Sequence, residues 1–146
     1  MNTHQQWLEQ AHELGLKSND PIQVGCVIVS ADGELLSSGW NHVPDGVDDT
    51  APRYTIPAKY FWIEHAEQIA IYKAAKDGIR LSGATAYINY SPDSICTNCI
   101  RALIQSGIVR FVGTSRVISS KNRKHHHTVN QYMIKEANIE TITIDN

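Results

Sequence analysis

His65-Ala66-Glu67 and Cys96-Thr97-Asn98-Cys99 are the two short stretches around which this chain is organised, with 28 residues between them. Together they offer one imidazole, one carboxylate and two thiol groups. A catalytic zinc ion usually takes three protein ligands and keeps a fourth position open for water. The two stretches therefore predict a zinc site made by His65, Cys96 and Cys99. Glu67 is left beside the metal, where it can move protons to and from the bound water.

Each half of this pattern has rival explanations when it is taken alone. H-x-E triplets are common on solvated helix ends, and C-x-x-C also occurs in structural zinc sites and in thioredoxin-like redox pairs. A structural zinc site needs a fourth ligand. The third cysteine, Cys26, lies within an apolar strand pattern, where a small buried side chain is expected. A redox pair gives His65 and Glu67 no role, so the combination favours catalytic zinc.

Both halves are expected at the start of a helix, directly after a loop. Unpaired backbone N–H groups and the helix dipole favour negative charge there, which helps to hold Cys96 and Cys99 as thiolates. Residues two apart do not share a helix face. His65 and Glu67 can therefore both reach one metal only from the first turn of their helix.

Composition indicates an ordinary globular chain of 146 residues, 42% hydrophobic and 19% charged, with a formal net charge of −2. This charge gives no general attraction to nucleic acid or to an anionic membrane. No signal peptide and no apolar run of roughly 20 residues is evident. Three cysteines, two of them in C-x-x-C, argue against a secreted disulfide framework, so we expect a cytoplasmic protein.

The residue pattern predicts one α/β domain over residues 1–146. A helix over about 3–17 precedes a hairpin whose strands are expected at 22–29 and up to about 39, and residues 41–62 are expected to form a functional loop. Helix and strand patterns then alternate, with expected bounds of 64–77, 84–90, 96–105, 108–112, 128–137 and 139–144. This order predicts a mixed five-stranded sheet with helices packed on its faces.

The sequence resembles the deoxycytidylate deaminase branch of the zinc-dependent cytidine deaminase superfamily, whose signature is H-x-E followed by P-C-x-x-C. The resemblance covers roughly residues 18–113. Beyond the metal motifs it includes Val24-Gly25, Gly39-Trp40-Asn41, Pro44, Gly46, Arg53, Lys59-Tyr60, Gly83-Ala84-Thr85-Ala86-Tyr87 and Gln105-Ser106-Gly107-Ile108. It implies a three-layer α-β-α, cytidine-deaminase-like fold.

The resemblance also implies roles for individual residues. His65, Cys96 and Cys99 become ligands of one catalytic Zn²⁺, and Glu67 the proton shuttle. Asn41 is implied to bind the sugar of the substrate, and Ala66 is expected to line the same substrate site. The implied reaction is hydrolytic deamination of dCMP to dUMP and ammonia by a homo-oligomer in pyrimidine deoxynucleotide metabolism. Two alternatives stay open: deamination of another base or nucleoside (cytidine, guanine or tRNA adenosine), and a non-catalytic zinc-stabilised binding module.

Two departures from the family pattern bear on the site. The proline that directly precedes the first zinc cysteine in the family is Ile95 here, as though Asp93-Ser94-Ile95 had been inserted after Pro92. The insertion is expected to reshape a pocket wall. A register that makes Asp93 a ligand is disfavoured, because Cys99 stands six residues before Gln105 as in the family. Asp45 replaces an arginine in a segment implicated in triphosphate effector binding, which weakens the expectation of such regulation.

A nucleotide substrate also needs a phosphate contact, and Arg116 is the expected one because it lies nearest the end of a strand. Further basic residues follow, Lys121, Arg123 and Lys124, and these are expected to be largely solvated. His125-His126-His127 could bind a second metal, but surface solvation is expected, because adjacent residues cannot all face one point.

Overall fold

The computed structural model describes residues 1–118 and 123–145, except for the side chains of residues 123–125. The described α-helices are α1 (His4–Gly15), α2 (Lys59–Trp62), α3 (Ala66–Lys76), α4 (Thr97–Gln105) and α5 (Arg123–Glu136). The strands are β1 (Gly25–Val29), β2 (Leu35–Trp40), β3 (Thr85–Ile88), β4 (Arg110–Thr114) and β5 (Glu140–Ile144). They form one sheet in the order β2-β1-β3-β4-β5.

The sheet is mixed, as the sequence predicts. β1 pairs antiparallel with both β2 and β3, whereas β3–β4 and β4–β5 are parallel pairs. Two-residue alternation along the strands divides the core into two layers. Cys26 and Ile28 of β1 face the core that contains α3 and α4, whereas Val27 and Val29 pack with α1 on the other face. Helices therefore cover both faces, and the three-layer α-β-α fold is confirmed.

Helix α1 begins at a capping box and lies directly on β1. The Thr3 side chain accepts from the Gln6 N–H, and the Gln6 side chain accepts from the Thr3 N–H. The helix approaches so closely that a Cβ atom on Gly25 would lie 1.8 Å from the Ala11 carbonyl oxygen. Glycine at position 25 is thus what allows the helix backbone to contact the strand.

The structure differs from the predicted elements in two places. Residues 41–62 are not wholly irregular, because they contain a 3₁₀ turn (Ala51–Tyr54) and the short helix α2. Helix α5 begins at Arg123, five residues before the expected start. The earlier start was not predicted, because the first turn of this helix is polar and shows no apolar periodicity. Within residues 1–118 and 123–145, no helix has the length and apolar content that crossing a membrane requires.

Gly25→Ala should destabilise the fold by about 3 kcal/mol or more, because the new Cβ forces α1 away from β1. Chemical denaturation followed by circular dichroism measures this. Gly46→Ala is the matched control: its φ of 89° disfavours alanine, but nothing lies within 4 Å of the added Cβ, so a loss of only about 1 kcal/mol is expected. Equal losses in the two variants would contradict the close packing of α1.

Candidate metal centre and active site

The residues of the predicted zinc site are presented by the N-termini of α3 and α4. His65 is the N-cap residue of α3, with an extended backbone (φ −74°, ψ 148°), and Glu67 is the second residue of that helix. Cys96 is the N-cap residue of α4, and Cys99 lies in its first turn. Because His65 precedes the helix, it need not share a helix face with Glu67, and both side chains can point to one place.

The three predicted ligands converge in space. The ligand atoms of His65, Cys96 and Cys99 all lie within 4.8 Å of one another, and His65 Nδ1 is 3.2 Å from Cys99 Sγ. Ligand atoms of a tetrahedral zinc ion lie about 3.5–3.8 Å apart, given zinc–sulfur and zinc–nitrogen bonds of about 2.3 and 2.0 Å. Gln68 Nε2 also donates to Cys99 Sγ at 3.7 Å, a contact that orients the sulfur.

The protonation of the triad shows that it suits a divalent cation. Hydrogen bonds with the Cys99 thiol and with His65 lower the pKa of Cys96 to about 3. The Cys96 thiolate raises the pKa of His65 to about 9 and, together with burial, raises the pKa of Cys99 well above its usual value. Without a cation, the three side chains therefore support one thiolate and one imidazolium. A bound Zn²⁺ would offset a second thiolate and displace both protons, so the donor set fits this ion.

Glu67 is a buried carboxylate next to the triad. It is 2% exposed, and the hydroxyl of Tyr90 donates to its Oε1 atom at 2.5 Å. Glu67 is not one of the three converging ligands, yet it lines the same cavity as His65 and Cys96. A carboxylate placed in this way can exchange protons with a molecule bound at the metal.

The cavity above the triad has a volume of about 310 Å³, at the lower end of the range for small-molecule sites. The long segment 41–62 contributes Asn41, Lys59 and Tyr60 to its wall, as expected of a binding loop. The three residues after Pro92 contribute as well, because Pro92–Ser94 forms a 3₁₀ turn. The wall includes Asp93, Ser94 and Ile95, together with Ile22, Ile63, Ala66, Ile118 and His126.

The predicted substrate contacts do not all lie in this cavity. Asn41 and Ala66 line it. The Asn41 amide also accepts from the Val24 N–H at 2.9 Å and donates to the Ile22 carbonyl at 2.8 Å, so half of its hydrogen-bonding capacity is already used. Arg116 is not brought to the cavity. Its guanidinium donates to the carbonyl of Gln23 and lines a second cavity, against α1.

The other basic residues considered for phosphate binding are only partly described. Lys121 and the side chains of Arg123, Lys124 and His125 lie outside the described residues. His126 lies at the site cavity, where its Nδ1 atom is 2.5 Å from the Thr97 hydroxyl. The expectation of a solvated histidine is therefore wrong for His126.

Three other features of the cavity were not predicted from the sequence. Lys59 is ion-paired with the nearly buried Asp20 at 3.2 Å, and a pair 39 residues apart has no local signal. His126 belongs to a histidine run that does not show which member turns inward. Tyr90 could have been found, because alternation along β3 and its extension puts it on the same face as Ala86 and Ile88, toward α3.

Comparison with known proteins identifies the family. Residues 1–115 match the family model described as "Cytidine and deoxycytidylate deaminase zinc-binding region". The chain belongs to this deaminase family. The ligand geometry and the family together assign a zinc ion to the deaminase domain, with His65, Cys96 and Cys99 positioned to bind it.

Two curated relatives of this deaminase domain carry more specific names. It is 37% identical over 113 residues to "Probable deoxycytidylate deaminase" of Caenorhabditis elegans, an alignment that covers 74% of the chain and 55% of the relative. It is 34% identical over 103 residues to "Deoxycytidylate deaminase" of Homo sapiens, covering 66% and 55%. The chain thus spans about half the length of these relatives.

A solved structure shares the fold of the deaminase domain over almost its whole length. The apo dCMP deaminase of cyanophage S-TIM5 superimposes with a TM-score of 0.75 at 21% sequence identity, covering 99% of this chain and 100% of that one. At this identity the likeness supports the fold, and it agrees with the three-layer arrangement described above.

Cys96→Ser and Cys99→Ser should each remove most of the bound zinc, because a serine hydroxyl does not replace a thiolate ligand. Elemental analysis of purified protein measures about one zinc ion per chain in the unaltered protein and far less in these variants. Cys26→Ala is the matched control, since the buried Cys26 lies outside the triad, and it should keep its zinc. Full zinc content in Cys99→Ser would contradict the assignment.

Proposed function

We propose that this protein is a zinc-dependent hydrolytic deaminase that converts dCMP to dUMP and ammonia. The observation that carries the proposal is the buried Glu67 carboxylate beside three converging ligand side chains at a cavity of about 310 Å³. A purely structural zinc site has no use for such a carboxylate. The names of the worm and human relatives support dCMP as the substrate.

In the proposed reaction, Glu67 carries the protons. When bound, zinc would act as a Lewis acid that lowers the pKa of water, so that a nucleophile forms near neutral pH. Glu67 accepts the proton released by that water and passes it to N3 of the cytosine ring as the water oxygen adds to C4. It then transfers the second proton of the water to the departing amino group. One water is consumed, and uracil and ammonia are formed.

Lys59 and His126 are the phosphate contacts that we propose from the described wall of the cavity. The Thr97 N–H points to His126 Nδ1 at 3.4 Å, and the Thr97 hydroxyl lies 2.5 Å from the same atom, so Nδ1 is the acceptor. The other ring nitrogen of His126 then carries the proton and can donate to an anion. Lys59 places a cation at the same cavity, although Asp20 already neutralises it. Asn41 is kept as the contact for the sugar, and Ala66 as a residue that lines the substrate site.

A second candidate, deamination of an uncharged cytosine nucleoside, is favoured by the charges on the wall. Asp20, Glu67 and Asp93 contribute three carboxylates to the wall. Among the described lining residues, Lys59 contributes the one lysine or arginine side chain. Because Asp20 pairs with Lys59, the described wall carries an excess of negative charge that opposes a phosphate. The two candidates differ only in the phosphorylation state of the substrate.

We further propose a homo-oligomer in a reducing, cytoplasmic compartment. Tyr60, at the cavity, and Phe61 beside it are 68% and 86% exposed, and a second copy would cover such aromatic side chains. Cys96 and Cys99 must stay reduced to bind zinc, which a reducing compartment ensures. Sedimentation velocity of the zinc-loaded protein tests the assembly, and a monomer at micromolar concentration would contradict it.

A substrate panel tests the function directly. Ammonia release is followed with dCMP, deoxycytidine, dCTP, cytidine, guanine and a tRNA substrate. With the four cytosine compounds, the change from cytosine to uracil absorbance is followed as well. The proposal predicts the highest kcat/KM with dCMP. Preference for deoxycytidine selects the second candidate. No ammonia from any compound, with zinc bound, would favour a non-catalytic binding module.

Glu67→Gln should keep zinc but lower kcat by about 10²–10⁴-fold, because the amide cannot accept and return protons. Steady-state kinetics and elemental analysis of the same preparation measure both quantities. Glu13→Gln on the surface of α1 is the control and should retain full activity. Turnover in Glu67→Gln close to that of the unaltered protein would eliminate the proposed shuttle.

His126→Phe should raise KM for dCMP about 10- to 100-fold, because a hydrogen bond to a charged group contributes about 1.5–3 kcal/mol. KM for deoxycytidine should change much less, since that substrate has no phosphate. His127→Phe is the matched control, because His127 does not line the cavity. An equal rise in KM for both substrates would show that His126 does not recognise the phosphate.

A further inference from the structure

The contact between Tyr90 and Glu67 takes no part in the proton transfers proposed for Glu67. The two side chains are 3% and 2% exposed, and the Tyr90 hydroxyl donates to Glu67 Oε1 at 2.5 Å. Both residues line the cavity. We propose that Tyr90 is a positioning residue that holds the Glu67 carboxylate by Oε1 and leaves Oε2 for proton transfer. The inference rests on the proposed function, because it assigns Glu67 the part of proton shuttle.

Tyr90 is itself held in place by the sheet. Its carbonyl accepts from the Thr114 N–H at 3.1 Å, and the next residue, Ser91, donates its N–H to the Arg116 carbonyl at 2.6 Å. Gly113 allows this close approach, because a Cβ there would lie 2.2 Å from the Tyr90 carbonyl oxygen. The phenol therefore projects from a segment just beyond β3 whose backbone is hydrogen-bonded to β4 and to Arg116.

Glu67 needs a partner that holds its side chain in one orientation. It is the second residue of α3, and a glutamate side chain has three rotatable bonds. A proton shuttle must keep one oxygen at a constant distance from the reacting atoms, and small displacements lower the rate strongly. One hydrogen bond from a buried phenol restricts the carboxylate to a single orientation and links α3 to the end of β3.

Tyr90 is suited to donate this bond and not to exchange the proton. Burial and the negative charge of Glu67 raise the pKa of the Tyr90 hydroxyl well above its usual value. The hydroxyl therefore stays protonated wherever Glu67 is a carboxylate. Tyr90 acts on the reaction through Glu67, and phenylalanine would fill the same space without making the bond.

Tyr90→Phe tests the inference. We expect kcat for dCMP to fall about 10- to 100-fold, while KM and zinc content stay unchanged, because the carboxylate is present but less well oriented. Tyr132→Phe, at a tyrosine 66% exposed on α5, is the matched control and should leave kcat unchanged. Unchanged kcat in Tyr90→Phe, or a loss explained wholly by zinc content or KM, overturns the inference.

A double-mutant cycle separates positioning from a general structural effect. If Tyr90 acts only through Glu67, adding Tyr90→Phe to Glu67→Gln should cost no further activity. A further loss equal to that in the single variant would overturn the inference. If the unaltered zinc-loaded protein releases no ammonia from any compound of the panel, the proposed function fails and takes this inference with it. An active unaltered protein with an equally active Tyr90→Phe variant fails the inference alone.

Discussion

Two cysteine sulfurs and the buried Glu67 carboxylate, brought together at one site, form the constraint on which the rest of the structure depends. Three negative charges so close together are unfavourable in a protein interior unless a cation is present. The pKa values reflect this, since the Cys96 thiolate raises the pKa values of both His65 and Cys99. The fold supplies two helix N-termini, those of α3 and α4, whose dipoles favour these charges, and a triad that can bind a divalent cation.

The sheet explains why two distant stretches of sequence converge. Helices α3 and α4 lie on the same face, over the core that includes Ala70, Ile100 and Phe111, and their first turns meet. Strands β3 and β4 are parallel, so the chain between them crosses over the sheet through α4. This crossover places α4 on the face of the sheet that α3 also covers. The 3₁₀ turn after Pro92 and the segment 41–62 then form the walls of the cavity above the triad.

Local patterns in the sequence were sufficient to predict most of the fold and the metal triad. The apolar run of β1 and the H-x-E and C-x-x-C spacings depend on neighbours along the chain, and they predicted this strand and the ligands. The position of Arg116 depends on where its backbone is held by Ser91, which no local pattern encodes. The same holds for the Asp20–Lys59 ion pair and for the contact between His126 and Thr97, because each contact joins segments that are far apart in the sequence.

X-ray absorption at the zinc edge of the loaded protein tests whether the triad holds an open catalytic metal site, because it counts the atoms bound to the metal. We expect two sulfur atoms at about 2.3 Å and two nitrogen or oxygen atoms at about 2.0–2.2 Å, the second light atom being exchangeable solvent. The light-atom shell should change when a cytosine compound is added. Three or four sulfur neighbours, or a shell unaltered by every such compound, would contradict an open catalytic metal site.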